Sequence, residues 1–125
     1  MNVVDSSGWL EYFADGRNAA FFAPPIEQPD ELLVPALSLY EVFRRLFQQR
    51  GEGVALEAVH GMQGATVVPL DAAIALRAAR ISLQLRLAMA DSVMLATAQE
   101  LGATFWTQDS DFAAVPGVRY VPARP

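Results

Sequence analysis

Five carboxylates stand where side chains could do chemistry. Asp5 closes the apolar run Val3-Val4, and Asp109 and Asp111 follow the run Phe105-Trp106-Thr107. Glu41 lies near the start of a strongly periodic helical stretch, and Asp91 opens another. Most other chemistries are excluded by composition. There is no cysteine, so disulfides, thiolate zinc sites and thiol nucleophiles are absent. All nine basic residues are arginine, which removes a P-loop lysine and Schiff-base chemistry. The single histidine, His60, cannot build a two-histidine zinc site, and a serine triad through it lacks a G-x-S-x-G elbow. Carboxylate chemistry remains.

The elements that must position these acids are short strands alternating with helices. Asn2–Val4, Glu31–Val34, Ala65–Pro69, Ala103–Thr107 and Val118–Val121 read as strands. The spacing of Leu39, Val42, Phe43, Leu46 and Phe47 predicts a helix over Ala36–Arg50, with Arg44, Arg45, Gln48 and Gln49 on its other side. A second helix is expected over Ala72–Arg86, capped by Asp71, with Ala72, Leu76, Ala79 and Leu83 inward. A third runs from Asp91 to Leu101 and ends on Gly102. Pro24, Pro25 and Pro29 predict a loop or a short broken helix, and a shorter helix fits before Gly64.

At 125 residues, with no repeat or linker, the chain reads as one α/β domain, residues 1–125. Three α/β/α layers around a mainly parallel central sheet of about five short strands are expected. In such sheets working groups gather beyond the carboxyl ends of the strands. Asp5, Glu41, Asp91 and Asp109 then project from one rim, with Asp111 near enough to join. The start of the chain lacks the pattern of a signal peptide and no run is long enough to span a membrane, so a soluble, cytoplasmic protein is expected.

Each acid taken singly has a structural explanation. Asp5 before Ser6-Ser7 suits a helix N-cap, and Ser38-Leu39-Tyr40-Glu41 fits a capping box. Asp109 and Asp111 suit a turn. Asp91 falls in line with Met94, Leu95 and Ala98 on an apolar stripe, where an unpaired carboxylate is costly. Together they pose an electrostatic problem. Two unit charges about 6 Å apart repel by roughly 3 kcal/mol at an effective dielectric near 20, and four carboxylates make six such pairs. That rivals a domain's whole stability of about 5–15 kcal/mol. Either some acids keep their protons or a cation sits among them, and all-oxygen ligation favours Mg²⁺ or Mn²⁺. The charge balance fits. With these five acids set aside, nine acids face nine arginines, so the net charge of -5 resides in the proposed site. The deficit of positive charge therefore does not bar a phosphodiester, which brings its own oxygens to an ion.

The motifs Val3-Val4-Asp5-Ser6-Ser7, Leu39-Tyr40-Glu41-Val42, Ala90-Asp91-Ser92-Val93-Met94-Leu95-Ala96-Thr97-Ala98 and Thr107-Gln108-Asp109-Ser110-Asp111-Phe112 occur in the order of the PIN-domain ribonucleases. The chain most closely resembles the VapC toxins of bacterial toxin-antitoxin pairs, over nearly its whole length. The resemblance implies a PIN-like fold and an Mg²⁺- or Mn²⁺-dependent endoribonuclease acting on single-stranded or structured RNA such as tRNA. It makes Asp5, Glu41, Asp91 and Asp109 the catalytic, metal-binding acids, Asp111 an accessory metal ligand and Thr107 an orienting hydroxyl. Hydrolysis by a water, with Asp91 or Glu41 orienting it, would leave 5′-phosphate and 3′-hydroxyl ends. The family also implies a VapB-type antitoxin whose C-terminal segment lies across the acidic pocket, an apolar groove for it on the first and long helices, and a homodimer. Ser92 departs from the family's usual alanine and adds a hydroxyl that is either harmless or alters water placement. A catalytically idle PIN-like interaction module is the alternative.

Arg44 and Arg45 follow Glu41 by three and four positions, so either could pair with it or meet an RNA phosphate. His60 is expected as a cap or surface residue. Trp9, Tyr12, Phe13, Phe43 and Phe47 are expected in the core or an interface, and Trp106 in the core.

Overall fold

The sequence alternates, residue by residue, between two sides of each strand, and that alternation creates the architecture. A computed structural model describes residues 1–125. Its strands are β1 (Asn2–Val4), β2 (Leu32–Pro35), β3 (Thr66–Val68), β4 (Thr104–Thr107) and β5 (Arg119–Tyr120). They alternate with helices α1 (Ser6–Phe13), α2 (Ala19–Ile26), α3 (Ala36–Arg50), α4 (Glu52–Met62), α5 (Ala72–Leu85) and α6 (Met89–Glu100). All strand pairs are parallel, in the order β3-β2-β1-β4-β5. Val3, Leu33 and Phe105 enter one core with Ile74, Ile81, Met94 and Leu95 from α5 and α6. Val4, Leu32, Val34 and Trp106 enter the other with residues of α1 to α4. Both faces of the sheet are therefore covered, as a parallel sheet requires. No helix is long and apolar enough to cross a membrane.

Strand order places the switch in chain direction between β1 and β4. From β1 the chain moves outward through β2 and β3, then crosses to β4 and β5 on the other side. At such a point the connections leave in opposite directions and open a crevice beyond the strand ends. Asp5 follows β1 directly and Asp109 follows β4 by two residues.

Three local expectations are corrected. On α5 the buried stripe is Ile74, Ala78 and Ile81, whereas Leu76 and Leu83 are 62% and 84% exposed. The helix carries two apolar stripes two residues apart, nearly opposite one another, and helical period alone cannot choose between them. Ile74 and Ile81 fill the core with Ala78 between them, so the leucine stripe faces solvent. Second, Pro24 and Pro25 lie inside α2 rather than ending it. Their missing N–H groups weaken an eight-residue helix, but buried Phe22 and Pro25 dock it, and Glu27 and Gln28 N–H donate to the Ala23 and Pro25 carbonyls. Third, Ser38 and Glu41 form no capping box. α3 starts at Ala36 after Pro35, leaving Ser38 Oγ buried without a partner inside the first turn.

Other local signals agree with the structure. Asp71 Oδ1 accepts from Ile74 N–H at 2.9 Å and caps α5. Gly102, at φ +65°, follows the end of α6, with Ala103 N–H on Ala98 O and Gly102 N–H on Gln99 O. This is the paired closure that a left-handed glycine permits.

Gly8 is fixed by close approach. A Cβ there would stand 2.6 Å from Phe22 Cε1 and 2.7 Å from Val4 Cγ1, both fully buried side chains. We predict that Gly8→Ala lowers stability by about 1–3 kcal/mol, the usual cost of overpacking, despite alanine's better helix propensity. Urea unfolding measures this, and an unshifted midpoint with an unchanged slope would contradict the packing described.

Candidate active site

The pleat decides which residues meet. Val4 and Trp106 are paired across β1 and β4 and point into the α1 to α4 core. The next residues, Asp5 and Thr107, turn to the opposite side, the side that α6 covers. Asp5 is 2% exposed. Its Oδ1 accepts from Gly8 N–H at 2.9 Å and from the Ser7 hydroxyl at 2.8 Å. Its Oδ2 accepts from the Thr107 hydroxyl at 2.5 Å. Asp5 thus caps α1 and belongs to the acidic site at once.

Thr107 is a two-way link. Its O–H donates to Asp5 and its oxygen accepts from Asp109 N–H at 2.9 Å, so one hydroxyl sets both the β1 and the β4 acid. Asp109 Oδ1 in turn accepts from Asp111 N–H at 2.9 Å and starts a single 3₁₀ turn over Ser110–Phe112. Buried Phe112 packs against Phe105 and anchors that turn. Glu41 comes from the second turn of α3 and accepts from the Ser6 hydroxyl at 2.8 Å. Asp91 stands in the first turn of α6, behind an Ala88 cap rather than as the cap itself. Buried Ser92 to Ala98 immobilise that helix beneath it.

One carboxylate oxygen each from Asp91, Asp109 and Asp111 lies within 4.8 Å of the others. Asp5 and Glu41 act on the same group through their charge. The Asp91 carboxyl is raised from 3.8 to about 6, first by burial and then by repulsion from Asp109, Asp5, Glu41 and Asp111. Asp5 is raised to about 6 as well; burial outweighs the three hydrogen bonds that favour its ionised form, and Asp109 adds repulsion. All five acids singled out in the sequence therefore share one electrostatic site. The three-acid group alone supplies the hard oxygen ligands that suit a small dication.

Two hydroxyls of the site carry no separate signal in the sequence. Ser6 holds Glu41 and Ser7 holds Asp5, so the pair Ser6-Ser7 orients acids from two different elements. Their position directly after a strand-end acid was the only clue. Ser92 points away. Its hydroxyl donates to the Ala88 carbonyl at 2.9 Å within its own helix, so it places no donor toward the carboxylates. His60 is exposed in the last turn of α4, and Trp106 is buried with its indole N–H on Asn2 Oδ1.

The PIN-domain family model matches residues 3–118, and the chain belongs to that family. Solved structures of similar fold include members of toxin-antitoxin systems. A toxin-antitoxin complex from Klebsiella pneumoniae superposes with a TM-score of 0.80 at 21% identity, covering 94% of this chain and 95% of that one. Mycobacterium tuberculosis VapC20, described as a sarcin-ricin loop cleaving toxin, gives 0.79 at 18% identity over 100% of both chains. FitAcB from Neisseria gonorrhoeae gives 0.75 at 18% identity over 98% of both. Among curated proteins none matches the chain.

The raised carboxyls make stability depend on pH. Below about 3.8 both groups are neutral folded or unfolded, and their burial costs little charge energy. As pH climbs through about 6 they ionise in the folded chain at a penalty the unfolded chain does not bear. We predict that, in chelator, Asp91→Asn becomes more stable than the wild type above pH 6 but not at pH 4. Allowing for the half-exposed position, the gain is about 1 kcal/mol, or about 3–5 °C in Tm. Added Mg²⁺ or Mn²⁺ should reverse the order at pH 7. Calorimetry over pH 4–8 reads both effects, and a Tm difference independent of pH and metal would show that these acids do not share a field.

Proposed function

We propose that the protein is a divalent-metal-dependent endoribonuclease, the toxin of a toxin-antitoxin pair. The observation that carries this reading is the convergence of four carboxylates on Asp91 at the switch point of a parallel sheet. Family membership and toxins of the same fold support it.

In this reading Asp91, Asp109 and Asp111 hold the cation, with Asp5 and Glu41 completing its negative surroundings. A bound Mg²⁺ or Mn²⁺ supplies the Lewis acidity that offsets phosphoryl charge and makes water nucleophilic near neutral pH. The chain's own groups supply position and proton transfer. No hydrogen-bond donor of the protein engages the Asp91 carboxyl, so its oxygens are open to the cation, and Asp91 or Glu41 orients the attacking water. The raised proton affinity of Asp91 belongs to the metal-free site, and a dication held there would draw it back down. Asp5 is held by three donors and stays fixed, Thr107 keeps Asp5 and the Asp109 backbone in register, and Ser6 holds Glu41 at the mouth. In-line attack by water on the phosphorus expels the 3′ oxygen, leaving 5′-phosphate and 3′-hydroxyl ends. The 2′-hydroxyl takes no part.

The similar toxin-antitoxin complexes also support a protein partner that silences the site. A VapB-type antitoxin segment lying across the acids, with a basic side chain in the cation's place, answers the same repulsion that the metal answers.

We predict that Asp5→Asn and Asp91→Asn each lower RNA cleavage by about 10²-fold or more while leaving the fold intact. Asparagine at position 5 retains an acceptor for the Gly8 cap. Expression of the wild type without its antitoxin should arrest growth, and neither variant should. RNA end sequencing after induction should find 5′-phosphates; equal toxicity of all three proteins, or 2′,3′-cyclic phosphate ends, would sink the assignment.

A further inference from the structure

Beside the acids, between α1 and α3, the molecule has a groove of mixed lining, in which arginines and hydroxyls alternate with aromatic and aliphatic side chains. A hollow of about 370 Å³ opens between Ser6, Ser7, Tyr40, Glu41, Arg44 and Arg45. Two more adjoin it along α3. One, of about 540 Å³, shares Tyr40 and Arg44 and adds Phe43 and Phe47. The other, of about 390 Å³, shares Ser7 and Arg45 and adds Arg50 and Gln108. Ser6, Ser7 and Glu41 belong to both the groove and the acidic site, so the two are continuous.

The arginines here have no structural employment. The only ion pair in the chain is Arg77 to Glu100, at 2.7 Å on another face. Arg44 and Arg45 lie one turn beyond Glu41, yet Glu41 takes the Ser6 hydroxyl and pairs with neither. Both guanidiniums are exposed and desolvate nothing. Tyr40 beside them is 62% exposed, with no aromatic neighbour occupying its ring. Free guanidiniums therefore stand among open aromatic faces, next to an acidic centre. They match a single nucleic-acid strand, whose phosphates need cations and whose bases need flat surfaces.

We infer that a single-stranded RNA flanking the scissile phosphate runs along this groove. Arg44 and Arg45 hold consecutive phosphates and Tyr40 stacks a base next to the cut. The assignment deepens the nuclease reading and rests on it for the identity of the strand. It explains how an acidic protein binds a polyanion: the repulsive pocket is confined to the cleavage point, and a track of unpaired arginines begins one helical turn away.

The test is fluorescence anisotropy with a labelled single-stranded RNA of about ten nucleotides in chelator, where no cleavage occurs. Arg44→Ala and Arg45→Ala should each weaken binding about 3–10-fold and flatten the salt dependence by about one phosphate contact. Tyr40→Ala should weaken it about 5-fold or more, with Tyr40→Phe restoring affinity because the stacking ring is kept. Arg80→Ala, on α5, should bind as the wild type does. The two readings separate cleanly. RNA held with these dependences but never cut when metal is added would support the track and overturn the nuclease. Metal-dependent cleavage, with unchanged affinity and salt slope in both arginine variants, would overturn the track alone. Equal loss in Tyr40→Phe and Tyr40→Ala, or weakening only by Phe47→Ala, would likewise overturn it.

Discussion

Mutual repulsion among carboxylates is the constraint on which this molecule turns. The fold brings five of them to one edge of a sheet and buries Asp5 among them, a cost that hydrophobic packing must carry in the absence of a cation. The surrounding structure is arranged to enforce the encounter rather than relieve it. Thr107, Ser6 and Ser7 all donate hydrogen bonds to acids, and no arginine is allowed to neutralise them. A site held together against its own charge is electrostatically suited to a small, hard cation.

The parallel sheet makes such enforcement inexpensive. Its short strands are anchored by cores on both faces, so their carboxyl ends are fixed without any dedicated scaffold. Asp5 combines two duties in one side chain: it caps α1 through Gly8 and contributes charge to the site. Close contact of Gly8 with Phe22 and Val4 keeps that helix start against the sheet. The position of the acid thus depends on packing several residues away as well as on its own hydrogen bonds.

Much of this was legible in the residues. The long amphipathic pattern of α3 gave its bounds, Asp71 and Gly102 marked real helix ends, and five apolar runs located the five strands. The acids stood out because strand-end and helix-start positions point to one rim once the sheet is parallel. Other features were not legible. The leucines of α5 looked like a core stripe because Ala, Leu and Ile alternate around the helix with two equivalent apolar faces, and only packing against α6 selected Ile74, Ala78 and Ile81. Pro24 and Pro25 argued against a helix that burial of Phe22 and Pro25 nonetheless holds.

By itself, the sequence determined the kind of chemistry and its address: a chain without cysteine or lysine, with one histidine and an excess of five acids, leaves oxygen ligands at strand ends as the available tool. Only the tertiary structure decided how each acid is held. That Thr107 joins Asp5 to Asp109, that Ser6 rather than an arginine takes Glu41, and that Arg44 and Arg45 stay free beside an open groove all depend on contacts between distant segments. Local periodicity carries information about which face a residue lies on, but partner choice across long separations is set by how whole elements pack.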